Sequence, residues 1–392
     1  MHKTFMPNIF KNVSVLSPHY VPKDLLFREN QIREISLILS PALKNQKPRN
    51  LIIYGKTGTG KTCSIKKIMD ELTALDKESK INMYYVNCRI YNSRYRILQK
   101  ILKTQIPELE KAGFGLPFLY EKLLEFASSG KQLIVILDEI DMVKDLDDLV
   151  YTLTRANDEI KMGGVSLIGI SNKLSLKDLL DPRSRSSLYE TEMIFPPYTA
   201  EQLQKILMQR VDEAFELNTI DVSAVNLAAA ITSQESGDAR YALKLLNKAA
   251  EIAETENKLK ITDSDVESAR KKVEIDLTLE TINTLPNMHQ IVLLSIAKLT
   301  ISGSKYSRLE GLENDLLFSG EVYEEYESNC KKLHKKPRSL RWYKEYINDL
   351  EMLGLITTTP SGKGVRGQTT LIKLGPDPKS LENSVRKILF GD

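Results

Sequence analysis

Eight consecutive residues, Gly55-Lys56-Thr57-Gly58-Thr59-Gly60-Lys61-Thr62, carry the groups needed to hold a polyphosphate. The glycines let backbone N–H groups wrap an anion without Cβ clashes. Gly58, Thr59 and Gly60 form the cradle, Lys61 is spaced to reach β- and γ-phosphates, and the Thr62 hydroxyl can bind Mg2+. Cys63 follows as a further expected contact. The pair Asp138-Glu139 ends the apolar run Leu133–Leu137. Asp138 is the candidate Mg2+ partner, through water, and Glu139 the candidate base that polarises an attacking water. Asn172 ends another apolar run, and its amide can hydrogen-bond both a γ-phosphate and the lytic water. In the polar stretch from Asp181 to Leu188, Arg183 and Arg185 each fit either a surface ion pair or a reach to a neighbouring copy's γ-phosphate. Arg240 falls in a helix's first turn, an unfavourable place for a cation, so an anion across a cleft accounts for it better.

These groups need a scaffold that gathers them. Leu51–Tyr54, Asn82–Asn87, Leu133–Leu137, Val165–Ser171 and Glu192–Phe195 read as strands, with Pro196-Pro197 stopping the last. They alternate with helical stretches, beginning with Cys63–Leu75 after the glycine-rich loop, which implies a parallel α/β sheet. Such sheets place ligands at the C-terminal ends of their strands, where these polar residues stand. From Ala200 to Val273 the pattern is helical: 200–217, 222–232 and 239–253, with Asp238 as a cap after Gly237.

At 392 residues the chain is too long for one ordinary domain, and 42% hydrophobic content can build real cores. A net charge of +3 argues for no partner by itself. Three scattered cysteines and four scattered histidines fit neither a disulfide framework nor a zinc site. No run reaches membrane-spanning length and the first residues are no signal peptide, so a cytoplasmic protein with no membrane partner is expected.

After Val273 the pattern changes. Helices are expected at 281–299, 320–332 and 340–353, followed by strands at 355–359 and 368–373 around a Gly-rich turn. Three helices and a hairpin make the winged-helix plan. Lys331, Lys332, Lys335, Lys336, Arg338, Arg341 and Lys344 form a basic run free of acids that leads into the third helix. Arg341, Trp342, Tyr343 and Lys344 occupy that helix's first turns, where base edges and phosphates are met. Lys363, Gly364 and Arg366 form the wing tip, with Arg366 suited to a minor groove.

Together these motifs resemble AAA+ P-loop ATPases, and more closely the archaeal replication initiators related to the origin recognition complex and the cell-division-cycle loader. The likeness rests on Tyr20-Val-Pro22, Phe27-Arg28-Glu29, the phosphate loop, Asp138-Glu139-Ile-Asp141, Ser171-Asn-Lys173, Asp181-Pro-Arg183, Phe195-Pro-Pro-Tyr198 and Gly237-Asp-Ala-Arg240-Tyr-Ala-Leu243. It implies a nucleotide-binding domain over 1–198, a helical lid over 199–275 and a winged helix over 276–392. It implies that Val21, Pro22, Arg28 and Tyr198 line the nucleotide site, that Asn172 and Arg240 are the two sensors, and that Arg183 is the arginine finger. A helical insert near 89–125 would carry DNA contacts, with Arg94 and Arg96 as candidates. The implied function is ATP-dependent, Mg2+-dependent initiation at duplex origin DNA. ATP or ADP would be bound, hydrolysis would be slow, and the partners would be the replicative helicase and other initiator copies in a nucleoid setting. The same plan also serves an ATP-regulated transcriptional regulator or a protein-binding loader.

Overall fold

In a computed structural model the described residues are 9–18, 20–110, 113–188, 190–303, 316–360 and 370–390. They form two compact units, one ending at Ala269 and one beginning at Arg270.

The first unit is built on five parallel strands, β1 (Asn50–Tyr54), β2 (Ile81–Asn87), β3 (Gln132–Asp138), β4 (Gly164–Ser171) and β5 (Glu190–Ile194). Their order is β2-β3-β4-β1-β5. The central strands β1, β3 and β4 are buried throughout, as unbroken apolar runs require when both faces are covered. Alternation sends Val86, Leu133, Val135, Leu137, Val165 and Leu167 to one face. There they meet α3 (Arg94–Leu102), α4 (Leu116–Ala127) and α5 (Leu146–Glu159). Leu51, Ile53, Ile134, Ile136, Ile168 and Ile170 turn the other way onto α1 (Glu29–Leu39) and α2 (Lys61–Leu75). Each such side chain contributes roughly 1.5–3 kcal/mol on burial. The short helix α6 (Pro182–Leu188) precedes β5.

A helical cap follows: α7 (Ala200–Ala214), α8 (Val222–Glu235) and α9 (Ala239–Thr255). Thr199 and Gln202 close a reciprocal capping box at the start of α7, and Asp238 accepts from the Arg240 and Tyr241 N–H groups to cap α9. The segment from Ile9 to Leu26, expected with the nucleotide-binding domain, packs into the core of this cap. Glu216 N–H donates to Ile9 O at 3.0 Å, Lys11 N–H to Ala214 O at 2.8 Å, and the Phe10 and Phe215 rings stack at 5.3 Å. Gly237 marks the turn into α9. Its φ is +67°, and an added Cβ would lie 2.8 Å from Pro197 Cβ and 2.9 Å from Tyr198 O.

Helix α10 (Asp263–Thr284) runs through the expected 275/276 boundary. The helix expected over 281–299 is two: α10 ends at Thr284, and α11 (Asn287–Ser302) starts after Pro286, which cannot continue a helix. The second unit then has β6 (Leu316–Phe318), α12 (Ser319–Lys332), α13 (Leu340–Met352), β7 (Ile356–Pro360), β8 (Thr370–Leu374) and α14 (Pro378–Phe390). Its antiparallel sheet has the order β6-β8-β7, so the expected hairpin gains β6 as a third strand. Gly354, at φ +70°, follows α13 in the left-handed conformation that closes helices. Ser339 holds the N-cap position of α13 but makes no side-chain cap bond.

Gly237→Ala should destabilise the protein by about 1–3 kcal/mol, through positive-φ strain and the Pro197 contact. Denaturant unfolding at constant slope checks this, and a loss below 0.5 kcal/mol, on the order of an ordinary surface change, would contradict it.

Candidate functional site

A cavity of about 410 Å³ opens in the first unit beside the C-terminal ends of β1, β3 and β4. Its walls include Val21 and Pro22 from the N-terminal segment, the loop Thr57–Thr62, Cys63, Asp138, Glu139, Asn172, Tyr198 and Arg240. The separate sequence motifs therefore converge on one volume.

The loop conforms to its glycines. Gly58 and Gly60 have φ of +68° and +88°. An added Cβ at Gly58 would collide with the Asp238 carboxylate at 1.5 Å, and one at Gly60 would stand 2.8 Å from the Tyr198 hydroxyl. Ala239 N–H also donates to Gly58 O at 3.2 Å, so the start of α9 rests on the loop. Lys61 Nζ donates to Gly55 O, Lys56 O and Asn172 Oδ1 at 2.7–2.8 Å. Burial pushes its ammonium down to about 8, and the Arg240 charge adds to that while Asp138 opposes it. The first turn of α2 lies on the same cavity, and its N–H groups have no intrahelical partners.

At the end of β3, Asp138 Oδ2 accepts from Thr62 Oγ1 at 2.8 Å and from the Tyr85 hydroxyl at 2.6 Å. Its other oxygen accepts from Glu139 N–H at 3.0 Å. Glu139 sits in the left-handed region at φ +54°, and its buried Oε2 has no hydrogen-bond partner. Positive φ at a non-glycine residue stores strain of the kind that gathers at functional sites. The Thr62 hydroxyl and the Asp138 carboxylate are hard oxygen donors, and they fit Mg2+. Among the described residues no cluster of three His, Cys, Asp or Glu could hold a metal alone.

One expectation is corrected here. Arg28 does not line the cavity: it is buried, donating to Thr59 O, Phe27 O and Pro196 O at 2.7–2.8 Å. Its guanidinium carbon lies 3.9 Å from the Tyr198 ring centre. The five-donor fork matches backbone carbonyls better than a ligand here, so Arg28 braces the loop from beneath. Phe27 and Glu29 are likewise absent from the cavity wall. Sequence reading missed Tyr85, which fixes Asp138, and Arg210, a buried side chain on the cavity wall. Arg210 falls on the apolar stripe of Leu203, Ile206, Leu207 and Val211, so a cation at a core position was the available signal.

Arg183 is exposed, lines a surface depression with Tyr151, Arg155, Pro182 and Ser186, and has no ion-pair partner among the described residues. Arg185 instead pairs with Asp178 at 3.8 Å and donates to Lys177 O. Arg94 is also engaged: its Nη2 lies 3.6 Å from Asp148 Oδ2 and Nη1 donates to Thr152 Oγ1. It is thus held by α5 and is not a free cation on the insert surface, whereas Arg96 is exposed.

In the second unit α13 separates two faces. Tyr343, Tyr346, Ile347 and Leu350 are buried, and Arg341, Trp342 and Lys344 are exposed. Tyr343 is therefore a core residue and not a surface contact: its hydroxyl donates to Ser319 O at 3.0 Å and its ring packs on Tyr323 and Tyr326. The Tyr326 hydroxyl accepts from Arg338 N–H at 3.0 Å, and the Tyr323 hydroxyl donates to Arg338 O at 3.2 Å. Both clasp the turn that leads into α13. None of Lys331, Lys332, Arg338, Arg341 and Lys344 forms an ion pair with a described residue. Lys363, Gly364 and Arg366 lie outside the described residues.

A polyphosphate should favour charged Lys61, so its affinity should fall above pH 8, approaching about tenfold per pH unit, as the free ammonium loses its proton. Calorimetric titrations at pH 8.5 in buffers of different ionisation heat should show proton uptake on binding. No uptake would refute the assignment.

Residues 44–176 match the AAA domain, residues 204–271 the Cdc6 AAA+ ATPase-type lid domain, and residues 280–384 the CDC6 C-terminal winged helix domain. An ORC1-type DNA replication protein of Pyrococcus horikoshii is 40% identical over 96% of this chain and 90% of its own length. ORC1-type DNA replication protein 1 of Archaeoglobus fulgidus is 38% identical over 97% of this chain and 91% of its own. The solved structure of Aeropyrum pernix ORC1 in complex with DNA superposes with a TM-score of 0.83 at 36% identity, covering 97% of both chains. No helix among the described residues is long and apolar enough to cross a membrane. With an ATPase sheet, lid and winged helix all matched and relatives aligned along nearly its whole length, the chain belongs to the AAA+ family of ORC1-type DNA replication proteins.

Proposed function

We propose that the chain is an ATP-dependent replication initiator that binds duplex origin DNA and helps recruit the replicative helicase. Slow ATP hydrolysis serves as the switch. The observation that carries this reading is a pairing within one polypeptide. One unit holds a cavity walled by Lys61, Asn172 and Arg240, and the other exposes Arg341 and Lys344 at the start of α13, neither of them in an ion pair with a described residue. The kinship with a protein solved on DNA supports the second half.

Val21 and Pro22 give the base an apolar wall, and the loop and first turn of α2 give the phosphates their donors. Lys61 exchanges its loop carbonyls for phosphate oxygens, and Asn172 orients the γ-phosphate and the water. Glu139 takes that water's proton. Thr62 and Asp138 would hold Mg2+, which would supply charge neutralisation for the phosphates. Arg240 reads the phosphate from the lid, and exposed Arg183 is free to serve the site of another copy. A site short of that second arginine turns over slowly, which suits a switch. On DNA, Arg338, Arg341 and Lys344 meet phosphates and groove edges, helped by Arg96 and by Lys363, Gly364 and Arg366 of the wing. The setting is the cytoplasm, at the nucleoid.

Lys61→Ala should abolish ATP binding, whereas Glu139→Gln should keep ATP affinity within about threefold while cutting turnover at least about 100-fold. Filter binding and single-turnover hydrolysis test both, and wild-type turnover in the Glu139 variant would remove its role. Arg341→Ala and Lys344→Ala should each weaken duplex binding severalfold and lower the log–log salt slope by about 0.9. Fluorescence anisotropy across several salt concentrations reads this, and an unchanged slope would take both residues out of the interface.

A further inference from the structure

Tyr85 stands on β2, opposite Ile136 of β3, and Asn87 further along the same strand faces Asp138. Its ring packs on the sheet face that carries Ile134 and Ile136. The length of the ring takes the hydroxyl along that face to the end of β3, where it donates to Asp138 Oδ2 at 2.6 Å. The side chain is only partly buried and borders the cavity, so water could satisfy the hydroxyl there. Packing alone therefore does not require the bond to Asp138. Burial and the Asp138 carboxylate push the phenol's proton affinity up, so it remains a donor.

An ionised carboxylate offers about four acceptor positions. Thr62 Oγ1 and the Tyr85 hydroxyl fill the two on Oδ2, and the Glu139 N–H takes one on Oδ1. Of about four positions, one on Oδ1 is then left. Thr62 has given its proton to Asp138, so it has only lone pairs to offer a cation. Glu139 is the next residue in the chain and Thr62 starts α2, whereas Tyr85 reaches in from the neighbouring strand. That strand holds the main chain of Asp138 as well, because Cys88 N–H donates to Asp138 O at 2.8 Å. The carboxylate is thus fixed at both oxygens, with the Tyr85 bond bracing it from the sheet.

We propose that Tyr85 is a positioning residue for the divalent cation: its hydroxyl holds the Asp138 carboxylate so that a single acceptor position, on Oδ1, is kept for a water of the bound Mg2+. The proposal rests on the ATP and Mg2+ reading above. Tyr85 acts through Asp138 and leaves the phosphate donors of the loop untouched. Removing its hydroxyl therefore weakens the cation and spares the nucleotide. Partners that orient a metal-side carboxylate in this way are commonly worth about 10- to 100-fold in metal affinity.

The test uses the full-length protein as wild type, Tyr85→Phe, Asp138→Asn and the double variant. ADP is titrated in EDTA, and the ADP-saturated protein is then titrated with Mn2+ and followed by electron paramagnetic resonance. Tyr85→Phe should keep metal-free ADP affinity within about twofold of wild type and weaken Mn2+ by at least about tenfold. In the Asp138→Asn background the same substitution should change Mn2+ affinity by less than about twofold, because its effect runs through that carboxylate. Wild-type Mn2+ affinity in Tyr85→Phe would overturn the proposal. So would an equal loss in the Asp138→Asn background, which would make Tyr85 a packing residue. A fall in metal-free ADP affinity as large as the Mn2+ loss would also overturn it, by placing Tyr85 on the nucleotide. Should Tyr85→Phe fail to fold, Tyr85→Met, which also fills the position without a hydroxyl, is read by the same outcomes. If wild type itself ignores ADP, the ATP reading fails and takes this proposal with it. If wild type binds ADP and Mn2+ normally and Tyr85→Phe does the same, the proposal alone falls.

Discussion

A buried ammonium bonded to no carboxylate organises the first unit. Lys61 Nζ is held by two carbonyls of its own loop and by the amide oxygen of Asn172, which joins the loop after β1 to the tip of β4. Each of these acceptors is weaker than an anion, so the ammonium is left wanting one, and burial shows this by drawing its proton affinity down. The rest of the site keeps that demand from being met internally. Asp138, the nearest strand-end acid, has one carboxylate oxygen taken by both Thr62 and Tyr85. Arg28, which could have competed for the anion, is turned to three backbone carbonyls under the loop.

The second unit follows a related logic with opposite exposure. Three tyrosines, Tyr323, Tyr326 and Tyr343, pack together and spend their hydroxyls on the backbone around Ser319 and Arg338. The polar tips of the aromatic core thus fix the approach to α13. Lys331, Lys332, Arg338, Arg341 and Lys344 form no ion pair with a described residue, an arrangement that a polyanion would favour.

Motifs whose chemistry depends on local order were readable in the chain. Gly58, Gly60, Lys61 and Thr62 work as a continuous loop, and the five strands announced themselves as apolar runs. The relatives confirm the fold class that those runs implied. Residues whose roles depend on distant partners were misread. Arg28 and Tyr343 look like ligand-facing groups until Thr59, Pro196 and Ser319 are seen to claim them. Arg94 looked free because Asp148 is remote in sequence. The double helix over 263–302 was half-missed although Pro286 marks its break. The attachment of the first residues to the cap had no local signal, because it is made of backbone hydrogen bonds to Ala214 and Glu216.

That attachment joins two walls that the chain order would keep apart. The stretch bearing Val21 and Pro22 is anchored through Ile9, Phe10 and Lys11 to α7, and so belongs mechanically to the cap. If the cap swings, this wall of the cavity travels with it, away from the glycine-rich loop that stays fixed to the sheet. A departing nucleotide would then lose its grip at both ends in a single movement, and a newcomer would be clasped the same way.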